Sequence, residues 1–238
     1  MFKLKEFILL LLIVALTLAL VFVSSWTNGV VIFGNLSESI NKQILYQSIT
    51  LTGTIIFLFI LWWAKRRNFR EYFRKGNISA EVLPEQLVGI KPKPSENWIH
   101  IGRNFAIVIS VVTAIVVYLQ LIRESEISFE HIIKVLPFSI VFALSNSFVE
   151  ESITRLGVVV VLNGVLKDKL IPFVSALIFG TVHYWGNPGG FIGVIVAGFL
   201  GWLLAKSIIE TKGVFWAWLI HFLQDVIIFS ALLTIITE

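Results

Sequence analysis

Long apolar runs separated by short polar ones set the pattern of this chain. The runs occupy residues 7–23, 48–63, 104–122, 132–166, 170–184, 191–205 and 214–236. Most approach the ~20 apolar residues with which a helix crosses a bilayer. Lipid offers backbone N–H and C=O groups no water to bond, so such runs must be helical. The pattern therefore predicts an all-α fold, a polytopic membrane helical bundle of about seven transmembrane helices, with eight as the alternative. The choice turns on 132–166, which contains Pro137. As one helix it would be about 50 Å long, against a hydrocarbon core of ~30 Å, so it must tilt, protrude or break.

Charge decides the count. Lys3 and Lys5 precede the first run, the stretch KRRNFREYFRK at 65–75 opens a loop reaching Arg103, and Lys167, Lys169, Lys206 and Lys212 flank later runs. With a single crossing at 132–166 all of these fall on one side, which the positive-inside rule makes cytoplasmic; with two, the last four lysines fall outside. Seven spans with a cytoplasmic N-terminus, in the cell membrane, is the expected topology. The first run is longer than the ~7–15 residues of a signal-peptide core, and Ser24-Ser25-Trp26 is no cleavage site, so it reads as a retained span. Residues 26–47 read as an outer polar loop, and 123–131, with Glu124, Glu126 and Glu130, as an acidic one. The basic loop, about 65–103, reads as a topology determinant lying on anionic lipid, with no nucleic-acid partner. Gly193, Ala197, Gly201 and Ala205 share one helix face at four-residue spacing, which lets backbones approach closely in lipid.

Composition agrees and narrows the chemistry. The 238 residues are 57% hydrophobic and 14% charged, where a soluble domain carries about 25% charge. There is no cysteine, which excludes disulfides, thiol catalysis and Cys-bound zinc.

Against that background Glu150-Glu151-Ser152-Ile153-Thr154-Arg155 stands out, because ionised side chains inside an apolar run are costly and mark function by default. Residues four apart share a helix face, so Glu151 and Arg155 are placed to pair, while Glu150 points elsewhere and shares a face with Asn146. His183 follows in Phe179-Gly180-Thr181-Val182-His183, with Phe179 one turn away. His221 and Asp225 are also one turn apart, so the carboxylate can orient the imidazole or favour its charged form. Glu150, late in an inward-running span, and His221, early in an outward-running one, both fall towards the cytoplasmic half. These groups could converge on a small polar chamber. A carboxylate there suits a general base.

The combination Glu-Glu-x-x-x-Arg, Phe-x-x-x-His and His-x-x-x-Asp, in this order over residues 135–236, resembles the CPBP family of intramembrane proteases, also called the Abi or CAAX-protease family. Its members include CAAX prenyl endopeptidases of the Ras-converting-enzyme type, bacteriocin-processing and self-immunity proteins, and lysostaphin-resistance-type proteins. The resemblance implies an endopeptidase acting on a peptide or protein substrate admitted from the membrane or the cytoplasmic face. It makes Glu150 the general base, His183 its partner on the water, and His221 with Asp225 the oxyanion-side groups, supported by Glu151, Arg155 and Asn146. Many members have Asn where this chain has Asp225, and an ionised carboxylate cannot donate to an oxyanion. Either Asp225 is protonated, or it holds His221 charged, or the site binds a metal. A metal-free mechanism without cofactor is the expectation; the alternative is zinc on Glu150, His183, His221 and Asp225. The chain then divides into membrane-anchoring helices at 1–130 and a CAAX-protease-like catalytic membrane domain at 131–238. A non-proteolytic immunity or scaffold protein is the competing function. A proton-coupled transporter would need inverted repeats or paired broken helices, and neither is evident.

Overall fold

A computed structural model describes residues 3–123, 129–186 and 189–236. Among them the regular structure is helical, with isolated backbone bridges such as Glu85–Ile90 in the loop before the third long helix. The helices are α1 (Leu4–Trp26), α2 (Glu38–Ala64), α3 (Arg66–Tyr72), α4 (Trp98–Val117, continued by a π-helical turn at Tyr118–Ile122), α5 (Phe129–Glu150), α6 (Gly157–Leu162), α7 (Ile171–Val182), α8 (Gly190–Thr211) and α9 (Phe215–Ile236). A π-helical turn, Glu151–Leu156, joins α5 to α6 without a break.

Among the described residues, six helices are long and apolar enough to cross a membrane: α1, α2, α4 with its π-turn, the run Glu130–Leu162, α8 and α9. The protein is thus an all-α, multi-pass membrane bundle. The segment expected as a span at 170–184 is different in kind. Its α-helix, α7, has 12 residues, begins with Pro172 in its first turn and gives way to a 3₁₀ turn at His183–Trp185. The long run does stay one helix over Glu130–Leu162, passing through Pro137 and the π-turn, with its last part, α6, packed against α3.

One membrane helix begins well before the apolar pattern predicts. The α2 helix starts at Glu38 rather than near 48, because Ser37 caps it by accepting from the Ile40 amide. Its buried Asn41 accepts from the Ile32 and Phe33 amides and donates to the Phe33 and Leu36 carbonyls, which ties down the preceding chain. Residues 38–47 therefore belong to a membrane helix and not to a loop. Glu124 and Glu126 of the expected acidic loop lie outside the described residues.

The basic segments gather at one end of the bundle. Lys65 pairs with Glu6 at 2.5 Å, joining the end of α2 to the start of α1. The Asn77 amide donates to the Thr211 carbonyl, and Trp216 Nε1 donates to the Ile78 carbonyl, at 2.7 and 2.9 Å. Asn68 donates to the Val160 and Asn163 carbonyls. Lys212, in a left-handed conformation after α8, reaches the Tyr72 hydroxyl at 2.8 Å and Glu71 at 3.0 Å. Burial pulls its ammonium down, but those two partners more than offset this and hold its pKa above the usual lysine value. The sorting of charge to one end is what the sequence pattern predicts.

Helix α7 packs along α8. They run antiparallel, and a Cβ added at Gly180 would lie 2.7 Å from the Val194 carbonyl oxygen and 3.0 Å from Gly198 Cα. Gly201 meets Ala176 and Ser175 on the same seam, so the small-residue face of α8 does pack, with Gly180 and Gly198 making the tightest approach. Backbone cannot yield as a flexible side chain can. Gly180→Ala is expected to destabilise the protein by about 1–3 kcal/mol, read as a lower thermal midpoint in detergent. Gly53→Ala, with nothing near its Cβ, is expected to leave stability unchanged or raise it by up to about 1 kcal/mol.

Candidate active site

The polar groups of the first motif are brought together by an irregularity in the helix that carries them. In the π-turn Glu151–Leu156 each amide bonds one residue further back than in an α-helix, as the Gly157 amide does to the Ser152 carbonyl. The Thr154 hydroxyl donates to the Glu150 carbonyl at 2.7 Å, and Ser175 Oγ of α7 donates to the Thr154 carbonyl at 2.8 Å. Those bonds anchor the wide turn. From it both adjacent carboxylates reach the same imidazole: Glu151 Oε1 lies 2.7 Å from His221 Nδ1, and Glu150 Oε2 lies 3.6 Å from His221 Nε2.

The partners are α9 and α7. Asp225 Oδ1 is 3.5 Å from His221 Nε2, one turn along α9. The Asn146 amide nitrogen donates to Glu150 Oε1 and to Asp225 Oδ2, each at 3.1 Å, so one NH₂ group spans the two carboxylates. Arg155 is fully buried, pairs with Glu151 Oε1 at 3.2 Å, donates to Thr154 Oγ1 at 2.7 Å and lays its guanidinium 3.4 Å from the Phe179 ring centroid. Glu150 is the least enclosed of the charged groups, with 17% of its side chain exposed where Glu151 has 3%.

His183 joins the site through a cavity. Its Nδ1 lies 2.8 Å from the Phe179 carbonyl, an acceptor only, so Nδ1 carries the proton and Nε2 keeps a free lone pair. The ring packs on Phe179, centroid to centroid 4.2 Å. A cavity of about 270 Å³ is lined by His183, Glu150, Thr154 and Phe179, by Thr17–Ser25 positions of α1 including Ser24, and by Tyr46 of α2. Its walls lie in the halves of α1 and α2 remote from the basic end. A second cavity, of about 340 Å³, approaches from the basic end between Phe73, Arg74, Phe148, Val214 and Trp218, and touches Glu151 and Ser152.

All the side chains picked out by sequence are therefore in or beside one cluster. The spacing-based pairs hold: Glu151 with Arg155, His221 with Asp225, Asn146 with Glu150. What spacing could not show is that Glu151 is also the nearest partner of His221, across α5 and α9. Tyr46 and Thr154 were not singled out; Thr154 lies inside the motif itself, and Tyr46 lies in the stretch that reads as a loop.

His221 has its close partner at Nδ1, 2.7 Å from Glu151 Oε1, while Glu150 and Asp225 oxygens stand 3.6 and 3.5 Å from Nε2. Acidic groups on both sides of an imidazole favour its charged form, a donor at both nitrogens. Nε2 faces the accessible side chain of Glu150. Among the described residues no group of three or more His, Cys, Asp or Glu is arranged to hold a metal ion.

No curated protein and no solved structure matches the chain. Residues 132–227, from the start of α5 into α9, match the family of type II CAAX prenyl endopeptidase Rce1-like proteins, and this segment, which carries every charged group of the site, makes the chain similar to CAAX-type membrane proteases.

Proposed function

We propose that the protein is an intramembrane endopeptidase in which Glu150 and His183 activate a water for attack on a peptide bond. The observation that carries this is that Glu150, the most accessible carboxylate of the cluster, and His183, with a free Nε2, line one cavity. Water held between them loses a proton to Glu150 as its oxygen attacks the carbonyl carbon. His221 Nε2–H faces the same carboxylate and supplies a preorganised donor for the developing oxyanion. Collapse of the tetrahedral intermediate breaks the C–N bond, and Glu150 returns its proton to the leaving amine. Asn146 keeps Glu150 and Asp225 apart at fixed distance, and Glu151 holds His221 in its charged form.

The substrate is a peptide or protein segment entering from the bilayer or from the bundle end opposite the basic one, where the cavity is walled by α1 and α7. With the basic end cytoplasmic, the N-terminus is cytoplasmic too, in the cell membrane. No step needs a metal or other cofactor. Comparing the membrane and secreted peptides of cells carrying wild type or Glu150→Ala, at equal expression, tests the reading. Peptides lost and precursors gained in the variant are expected; an unchanged peptide set with retained biological effect overturns catalysis in favour of an immunity or scaffold role.

A further inference from the structure

We infer that Tyr46, from a helix outside the family-matched segment, is a catalytic residue of this site that donates its phenolic O–H to the oxyanion. The inference rests on the proteolytic reading above and adds to it a donor that neither motif spacing nor the matched segment contains.

The site is short of neutral donors. Asp225 stands where a donating amide would serve, and it is already occupied as an acceptor from Asn146. The two N–H bonds of the Asn146 amide are directed at Glu150 and Asp225. The Thr154 hydroxyl is committed to the Glu150 carbonyl, and His183 Nδ1–H to the Phe179 carbonyl. His221 offers a single N–H at Nε2, and two carboxylates compete for it. An oxyanion forming in this cavity would have one shared N–H to receive it, with the Asp225 carboxylate close by.

Tyr46 answers that lack. It is 9% exposed, so more than nine-tenths buried, and it lines the same cavity as Glu150, His183 and Thr154. Its hydroxyl is not among the buried polar atoms left unpartnered, and the residue lines the cavity in the field of the Glu150 and Asp225 carboxylates. A phenolic hydroxyl at a cavity wall can donate to an acceptor that enters the cavity. The carbonyl oxygen of a peptide in the cavity is such an acceptor, and it becomes a stronger one as negative charge develops on it. Of the cavity's other hydroxyls, Thr17 bonds the Ile13 carbonyl and Ser25 the Val21 carbonyl, while Ser24 lines the wall on α1, two turns beyond Thr17. The O–H bond stays intact through the step, so no proton need be accounted for beyond the one that Glu150 takes and returns.

The test uses the full chain in proteoliposomes with a library of quenched-fluorescent peptides, comparing wild type, Glu150→Ala, Tyr46→Phe and Tyr118→Phe. Tyr46→Phe removes one oxygen and keeps the ring, and an unchanged thermal midpoint checks the fold. Its kcat is expected to fall about 10²-fold with KM within about twofold, because the bond is strongest in the transition state. Tyr118→Phe, exposed at the end of α4, is expected to match wild type. A Tyr46→Phe rate within threefold of wild type, while Glu150→Ala is inactive, overturns the role of Tyr46 and leaves proteolysis standing. A rise in KM alone makes Tyr46 a binding wall and overturns it equally. Cleavage that survives in Glu150→Ala, or no cleavage by wild type, overturns the proteolytic reading and Tyr46 with it.

Discussion

Glu150→Gln is expected to lower kcat by roughly 10²–10⁴-fold, the range that loss of a positioned general base produces. The substitution is close to isosteric, and the Gln carbonyl can still accept from Asn146, which lies 3.1 Å from Glu150 Oε1. What disappears is the capacity to take a proton from water. The measurement is turnover on the substrate identified by peptide comparison, with His183→Gln and the double variant alongside. If the two side chains act on one water, the double variant is no worse than the poorer single variant, because removing either already disables the unit. Full multiplication of the two losses would mean separate roles, and a Glu150→Gln enzyme at wild-type rate would remove Glu150 as the base.

Arg155→Met carries the largest expected effect on stability, a loss of about 3–5 kcal/mol, the usual result of removing one partner of a buried ion pair. Arg155 has no exposed surface, and it touches Glu151, Thr154 and the face of Phe179 at once. Without it, Glu151 Oε1 keeps only His221, while Glu151 Oε2 already has no hydrogen-bond partner in the structure. Arg155→Lys restores charge but neither the planar fork nor the stacked face, so it is expected to recover part of the loss. Thermal unfolding in detergent reads both variants. A methionine variant as stable as wild type would show that the pair contributes nothing net.

Reading the apolar pattern was enough to place nearly every membrane helix, because lipid imposes helix on any long apolar run. It failed where polar residues lie inside a membrane helix for a reason of packing. Asn41 looks like a loop residue, yet it is buried and satisfied by backbone groups of the chain it folds over, so α2 starts ten residues earlier than apolar counting allows. The cap at Ser37 was the available sign. The candidate site was legible for the converse reason: charges in lipid are conspicuous, and spacing by four residues pairs them within a helix. Contacts between helices were not legible. The Glu151–His221 contact spans seventy positions, and Tyr46 reaches the cavity from a helix that carries no motif. The apolar run at 170–184 hid its own make-up, 12 residues of α-helix with a 3₁₀ turn on either side.

The two cavities approach the charged cluster from opposite ends of the bundle, one ending on Glu150 and the other on Glu151. Between them stand Arg155, Glu151 and His221, all nearly without exposed surface. A hydrolase in a membrane has to admit water without short-circuiting the ion gradient across it. The Arg155–Glu151–His221 row therefore divides the two cavities: the one that holds Glu150 and His183 is closed off from the one that touches Glu151 by a layer of paired, buried charges.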